Sequence, residues 1–259
     1  MTSRAAVPAD TRSTANLVAR VPGVLAGIEV ARLAFVQVDA AVTFSSRVQD
    51  GATVVPAQVV ATIEGPARSL LSAERVALNF IQRLSGVATL TRHFVDALHG
   101  TNARVLDTRK TTPGLRDLEK WAVRIGGGVN HRHGLWDMYL VKDNHIRAAG
   151  SLTNAVQAIA RQRDSKLQLE VEAASLALVR EALALDVDRI LLDNMSLDQL
   201  REAVALVRAH NGRRPRLEAS GGVTLETVRA IGETGVDYVS VGALTHSAKA
   251  LDLALDFTS

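Results

Sequence analysis

Between residues 104 and 241 the sequence alternates short aliphatic runs with amphipathic helical stretches, and this regularity restricts the fold more than any other feature. The aliphatic runs are Arg104–Leu106, Met138–Val141, Leu167–Val171, Arg189–Leu192, Arg216–Glu218 and Tyr238–Val241. The stretches with helical spacing include Leu115–Ile125, Leu152–Arg163, Leu176–Leu185, Leu197–His210 and Leu225–Glu233. Strand–helix–strand order of this kind predicts a parallel sheet or barrel. Because only six strand runs are clear, where a full (β/α) barrel has eight, the expected form is an incomplete barrel.

The residues that close each run carry the chemistry. Asp107-Thr108-Arg109-Lys110, Lys142-Asp143-Asn144-His145, Glu170 and Glu172, Asp193-Asn194, Ser220-Gly221-Gly222 and Gly242-Ala243 all fall at strand C-terminal ends. In a (β/α) barrel those ends share one face, where active sites are built. An open doubly wound sheet collects them only at a switch point. Taken singly, a Lys or Arg there is ordinarily solvated, and His131 alone reads as a satisfied structural histidine. Convergence is what makes a site. Arg109, Lys110, Arg132 and Lys142 supply cations beside His131, and Glu172 and Asp193 supply carboxylates. Late-strand glycine turns at Ser220–Gly222 and around Gly242 offer backbone N–H groups to a phosphate. Cations for carboxylates or pyrophosphate, with carboxylates for ribose hydroxyls or Mg²⁺, describe a sugar-phosphate substrate. Glu170 and Glu172 are expected on opposite faces of their strand, with Glu170 in a non-catalytic role, orienting a neighbouring cation.

The first third differs. Gly23–Val36 has helical spacing, and Ala41–Ser45 and Ala52–Gly65 read as short strands. A helical pattern runs from Ala67 to about Leu98, with a break expected at Ser85-Gly86. Residues 1–98 are therefore expected to form an N-terminal α/β domain and 99–250 the barrel, with 251–259 returning as a last strand of the first domain. Aromatics make up 3% and apolar residues 47%, so the core is aliphatic. Net charge is +3 and the pI about 9.6; the cations sit in turns, not along a helix face with stacking aromatics, which argues against nucleic acid. The absence of cysteine rules out disulfides and thiolate metal sites and fits a reducing cytoplasm. No apolar run is long enough to span a membrane, and residues 1–20 lack the apolar segment of a signal peptide. There is no GxGxxG after the first strand and no Walker A sequence.

Nine blocks in order carry a resemblance: GVLAG (Gly23–Gly27), AERVALNFIQRLSGVAT (Ala73–Thr89), DTRKTTPGLR (Asp107–Arg116), GGGVNHRHGLWD (Gly126–Asp137), VKDNHI (Val141–Ile146), LEVE (Leu169–Glu172), LLDNM (Leu191–Met195), EASGGV (Glu218–Val223) and VSVGALTHSA (Val239–Ala248). Across nearly its whole length the chain resembles the quinolinate phosphoribosyltransferase family (nicotinate-nucleotide pyrophosphorylase, carboxylating). The resemblance implies an N-terminal α/β sandwich-like domain, a C-terminal α/β barrel, and a homodimer, or a higher oligomer built on it, in which one subunit completes its partner's site. It implies that Arg75, Arg109, Lys110, His131, Arg132 and Lys142 line the site for quinolinate and phosphoribosyl pyrophosphate. Glu172 and Asp193 would hold ribose hydroxyls and Mg²⁺, directly or indirectly, and Lys142, Glu172 and Asp193 would be catalytic. Ser220, Gly221, Gly222 and Gly242 would hold the 5-phosphate, with His246 near the pyrophosphate. No organic cofactor is implied. The resemblance also implies a helical stretch ahead of Met1, of which Thr2-Ser3-Arg4-Ala5 looks like the tail.

Two other readings remain at this point. A pyrophosphorylase found with molybdate transport genes shares the fold and the Thr-Arg-Lys turn, and the intact Lys142-Asp143-Asn144-His145 run weighs against it. An inactive paralogue acting as a binding protein would have lost cationic or acidic site residues, and none is lost.

Overall fold

A computed structural model describes residues 1–162 and 164–258. Its elements, in chain order, begin with α1 (Thr2–Ala6), β1 (Arg12–Ala19), β2 (Gly23–Val24), α2 (Ile28–Val38), β3 (Thr43–Ser46), β4 (Thr53–Val54), β5 (Val59–Pro66) and α3 (Ala67–Ala97). They continue with β6 (Arg104–Leu106), α4 (Arg116–Ile125), β7 (Tyr139–Val141), α5 (Asp143–Ala149), α6 (Leu152–Ala160), β8 (Leu169–Ala173) and α7 (Leu176–Leu183). The last are β9 (Arg189–Asp193), α8 (Leu197–Ala209), β10 (Arg216–Ser220), α9 (Leu225–Gly232), β11 (Tyr238–Ser240), α10 (Ala243–His246) and β12 (Leu253–Phe257). The chain divides into two compact units: Met1–Arg92 with Thr112–Gly127 and Ala243–Ser259, and His93–Thr111 with Gly128–Gly242.

In the first unit an antiparallel sheet runs in the order β12-β1-β5-β3, and β2 and β4 form a separate pair. Its core packs Leu17, Ala31, Phe35, Ile63, Leu70 and Ile81, with Leu251 and Leu253 from the chain's last segment. A fully buried Leu or Ile of this kind contributes roughly 1.5–3 kcal/mol. The helix expected from Gly23 starts only at Ile28, because Gly27 takes φ 101° and Gly23-Val24 pairs with β4. Conversely α3 runs through Ser85-Gly86 without the expected break. Gly86 is there for a close approach: a Cβ would overlap the carbonyl oxygen of Lys249. Ser85 Oγ accepts from Ala26 N–H at 2.9 Å, so both residues serve tertiary contacts.

The second unit holds a parallel sheet in the order β6-β11-β10-β9-β8-β7. That order is a circular shift of the chain order, with no reversal point. It is the order of a barrel left open between β6 and β7, where Val129 bridges in parallel to Leu106. Helices α6, α7 and α8 begin on the side chains of Ser151, Ser175 and Ser196, each accepting from a backbone N–H of the first turn. The helix expected over Leu152–Arg163 ends at Ala160, and Arg163 lies outside the described residues.

The expectation that Glu170 and Glu172 face opposite ways does not hold. Residues two apart on a strand share a face, since the side-chain period is two. Glu170 and Glu172 accordingly both turn inward, with Glu170 fully buried against His131 and Glu172 at the cavity wall.

Candidate active site

At the C-terminal ends of the second unit's strands lies a cavity of about 550 Å³. Its wall takes Arg109 and Lys110 after β6, and His131 and Arg132 from the segment before β7. Lys142 and His145 come from the β7–α5 junction, Glu172 from β8, Asp193 from β9, and Ser220 and Ser240 from β10 and β11. The parallel register explains the convergence. Ser220 pairs with Asp193, and Glu172 with Leu191, so the polar ends of β8, β9 and β10 form a common upper rim.

Local structure fixes each group. Asp107, fully buried at the end of β6, accepts from His131 N–H at 2.9 Å and from Asn130 Nδ2 at 2.5 Å. Arg132 donates from its backbone to His131 Nδ1 at 2.7 Å and from its guanidinium to the Met138 carbonyl at 3.3 Å. Burial and the nearby Arg109 lower the pKa of Arg132. Two like cations held close in a half-dry wall are poised for a dianion. At the start of α5, Lys142 N–H donates to His145 Nδ1 at 2.9 Å, while the Asp143 backbone bonds to Glu172. The Lys142-Asp143-Asn144-His145 block is thereby folded into a helix start whose first side chain, Lys142, is exposed toward the cavity.

Glu172 is held above the ordinary carboxylate pKa by burial and by Asp193, with Lys142 opposing. Two carboxylates that repel one another at the cavity wall are a donor set that a divalent cation would relieve, so the pair fits Mg²⁺ in chemistry. Asn194 donates to Asp193 Oδ2 at 2.9 Å. Its own backbone is left-handed at φ 52°, and its side chain occupies the space a Cβ on Gly221 would need. Gly221 (φ 102°) and Gly222 (φ 59°) then complete the turn after Ser220 in conformations that favour glycine. Gly242 follows β11 by two residues.

Beneath the rim sits a second, buried group. His131 Nε2 lies 2.9 Å from Glu170 Oε2 and 3.5 Å from Glu218 Oε2, and Arg189 donates to Glu218 Oε2 at 2.9 Å. The Arg189 guanidinium also lies 4.5 Å over the Tyr238 ring. His131, Glu170 and Glu218 have metal-ligand spacing, but Arg189 already neutralises Glu218. Burial and Glu218 push the Glu170 carboxyl up to about 7. Burial opposes charge on His131, the two carboxylates favour it more, and its pKa is pushed up to about 9. The Arg132 amide aimed at Nδ1 works against that second proton.

The structure therefore gathers Arg109, Lys110, His131, Arg132, Lys142, Glu172, Asp193 and Ser220 around one cavity, with Gly221 and Gly222 in the next turn. Arg75 and His246 belong to the other unit. Arg75 is exposed on α3, 3.9 Å from Glu74, and His246 is exposed at the end of α10 with Nδ1 2.6 Å from Ser247 Oγ. Sequence reasoning placed Asp107 at a strand end and Glu218 in a resemblance block but gave no role to either, nor to Arg189. A charged residue inside an aliphatic strand, as in Leu217-Glu218-Ala219, was the available signal.

Two family models match end to end: the quinolinate phosphoribosyl transferase N-terminal domain over residues 1–85 and its C-terminal domain over 87–256. The chain is 46% identical over 260 residues to a nicotinate-nucleotide pyrophosphorylase [carboxylating] of Mycobacterium leprae, covering 99% of this chain and 90% of that one. It is 46% identical to quinolinate phosphoribosyltransferase [decarboxylating] 2a, mitochondrial, of Nicotiana tabacum, covering 98% of this chain and 76% of the relative. The crystal structure of NadC from Streptococcus pyogenes superposes with a TM-score of 0.92 at 44% identity, covering 100% of this chain and 91% of that one. With both domains matched and the parallel barrel in place, the chain belongs to the quinolinate phosphoribosyltransferase family.

Proposed function

We propose that this protein converts quinolinate and phosphoribosyl pyrophosphate to nicotinate mononucleotide, pyrophosphate and carbon dioxide. The observation that carries the reading is a single cavity lined by the cations Arg109, Lys110, Arg132 and Lys142 and by the carboxylates Glu172 and Asp193. Arg109, Lys110 and Arg132 bind the two carboxylates of quinolinate, and the strand-end turns at Ser220–Gly222 and Gly242 bind the 5-phosphate. The pyridine nitrogen attacks C1 of the ribose as the C1–O bond to pyrophosphate breaks. Lys142 meets the charge that builds on the leaving group, and Glu172 or Asp193 favours the positive charge on the ribose. Mg²⁺ bound with the pyrophosphate would supply further charge neutralisation there. N-ribosylation makes the ring an electron sink; the bond from C2 to its carboxylate breaks, carbon dioxide leaves, and a proton takes its place on C2.

In this reading the protein works as a homodimer in which Arg75 serves the partner's site, consistent with its exposure on α3. No helix among the described residues is long and apolar enough to cross a membrane. We place the reaction in the cytoplasm, as for an enzyme of de novo pyridine nucleotide synthesis.

Substrate choice tests the proposal. With phosphoribosyl pyrophosphate and Mg²⁺, quinolinate should be turned over and nicotinate, with one carboxylate fewer, should be a poor substrate. Comparable turnover of nicotinate would contradict it.

A further inference from the structure

The buried group beneath the cavity has no part in the steps above, yet it is expensive to maintain. Glu170 and Glu218 lie in the sheet interior with no solvent exposure, and both carboxylate oxygens of Glu170 and Oε1 of Glu218 have no hydrogen-bond partner among the described residues, although His131 Nε2 lies 2.9 Å from Glu170 Oε2. An incompletely bonded buried carboxylate is costly and needs a reason. Replacing this cluster by aliphatic side chains would ordinarily be neutral or stabilising, so stability does not supply that reason.

The geometry points to Glu170, Glu218 and Arg189 as positioning residues that hold His131 so that its neighbour Arg132 faces the substrate carboxylates. The inference rests on the proposed substrate. His131 is only 7% exposed, and both ring nitrogens are engaged within the protein: Nε2 toward Glu170 and Glu218, Nδ1 by the Arg132 amide. Its own N–H is bound by Asp107. The ring is thus a peg driven into the sheet interior, faced from β8 by Glu170 and from β10 by Glu218, while Asp107 at the end of β6 holds the residue's backbone. Arg189 from β9 sets the second carboxylate, and Tyr238 from β11 backs Arg189. The loop carrying Arg132 has no regular secondary structure, so nothing repetitive in its backbone would hold the guanidinium in place. The hydrogen bond that ring Nδ1 accepts from the Arg132 backbone N–H is what transmits the peg's orientation to Arg132. His131 then acts through Arg132 rather than on the substrate.

The full-length protein tests this in two readouts. The first is steady-state kinetics of Glu170→Leu, Glu218→Gln and His131→Asn. A misplaced binding group costs up to about 100-fold, so the KM for quinolinate should rise by about tenfold or more while the KM for phosphoribosyl pyrophosphate stays within about twofold. Glu170→Gln, whose amide oxygen can take the place of Oε2 beside Nε2, should recover most of the loss seen in Glu170→Leu. The second is proton NMR. The unmutated protein should show a strongly downfield imidazole N–H signal that His131→Asn abolishes and Glu170→Leu shifts or loses. Equal changes in both KM values, or a quinolinate KM that does not move in any folded variant, would overturn the inference. If the unmutated protein does not turn over quinolinate, the proposed function fails. The NMR then still decides whether the peg exists, because a signal untouched by Glu170→Leu contradicts it. Should Glu218→Gln fail to fold for want of a partner to Arg189, His131→Asn and the Glu170 pair give the answer without it.

Discussion

The guanidinium of Arg83 lies 2.6 Å from Oε1 of Glu119, a carboxylate with no solvent exposure. Arg83 also reaches the carbonyls of Ala248, at 2.9 Å, and of Thr245, while Thr112 donates to Glu119 through both its N–H and its hydroxyl. One ion pair thus gathers α3, α4 and the turn after α10 within the first unit. Removing one partner of such a pair leaves a buried charge unmatched, at a cost of about 3–5 kcal/mol. Arg83→Met should lose stability of that order in denaturant unfolding. A loss below about 1 kcal/mol, the range of exposed pairs, would show that water takes the place of the guanidinium.

Lys142 is exposed and does not belong to the core, so its replacement separates chemistry from folding. Lys142→Met should lower turnover by roughly 10²–10³, as loss of a transition-state contact does, with the melting temperature unchanged. Retained turnover with a fall in melting temperature would make the lysine structural.

Glu172 gives a dependence on pH. Its folded pKa is raised above the ordinary 4.5 by burial and Asp193. A carboxyl raised in this way stabilises the fold fully only below its ordinary pKa, and that contribution is lost as pH rises through the folded value. Without divalent cations, Glu172→Gln should therefore be the more stable protein at neutral pH. Mg²⁺ with pyrophosphate should stabilise the unmutated protein more than the variant, and less so as pH falls toward the acid range. A variant that gains as much from the cation as the unmutated protein would remove Glu172 from the cation site.

The shared site is tested by mixing. Arg75→Ala and Lys142→Ala proteins, each inactive, are unfolded together and refolded. If Arg75 serves the partner's cavity, half the dimers are mixed and each has one intact site, so activity should return to about a quarter of the unmutated level by counting over symmetric pairs. No recovery, with mixed dimers shown to have formed, would place both residues in one chain's site.

The strand ends were legible because polar residues close six successive aliphatic runs, and a parallel barrel brings all those ends to one face. Arg109, Lys110, Arg132, Lys142, Glu172, Asp193 and Ser220 do line one cavity. Other features were not legible. Ser85-Gly86 has the composition of a break, and only the approach of Lys249 from 163 residues away gives it another use. Gly27 moves the start of α2, since a left-handed residue stops a periodic pattern from extending back. The inward facing of Glu170 departs from expectation, although the strand period alone settles it. Arg189 was beyond reach, because its partners Glu218 and Tyr238 come from strands 29 and 49 residues further on.

In the proposed reaction this cavity couples ribosyl transfer to loss of the carboxylate next to the ring nitrogen. Quinolinate labelled in its 2-carboxylate, incubated with the protein, phosphoribosyl pyrophosphate and Mg²⁺, measures it directly. Labelled carbon dioxide, nicotinate mononucleotide and pyrophosphate should form in equal amounts, with no carbon dioxide when phosphoribosyl pyrophosphate is left out. Label retained in a nucleotide product, or carbon dioxide released without phosphoribosyl pyrophosphate, would contradict it.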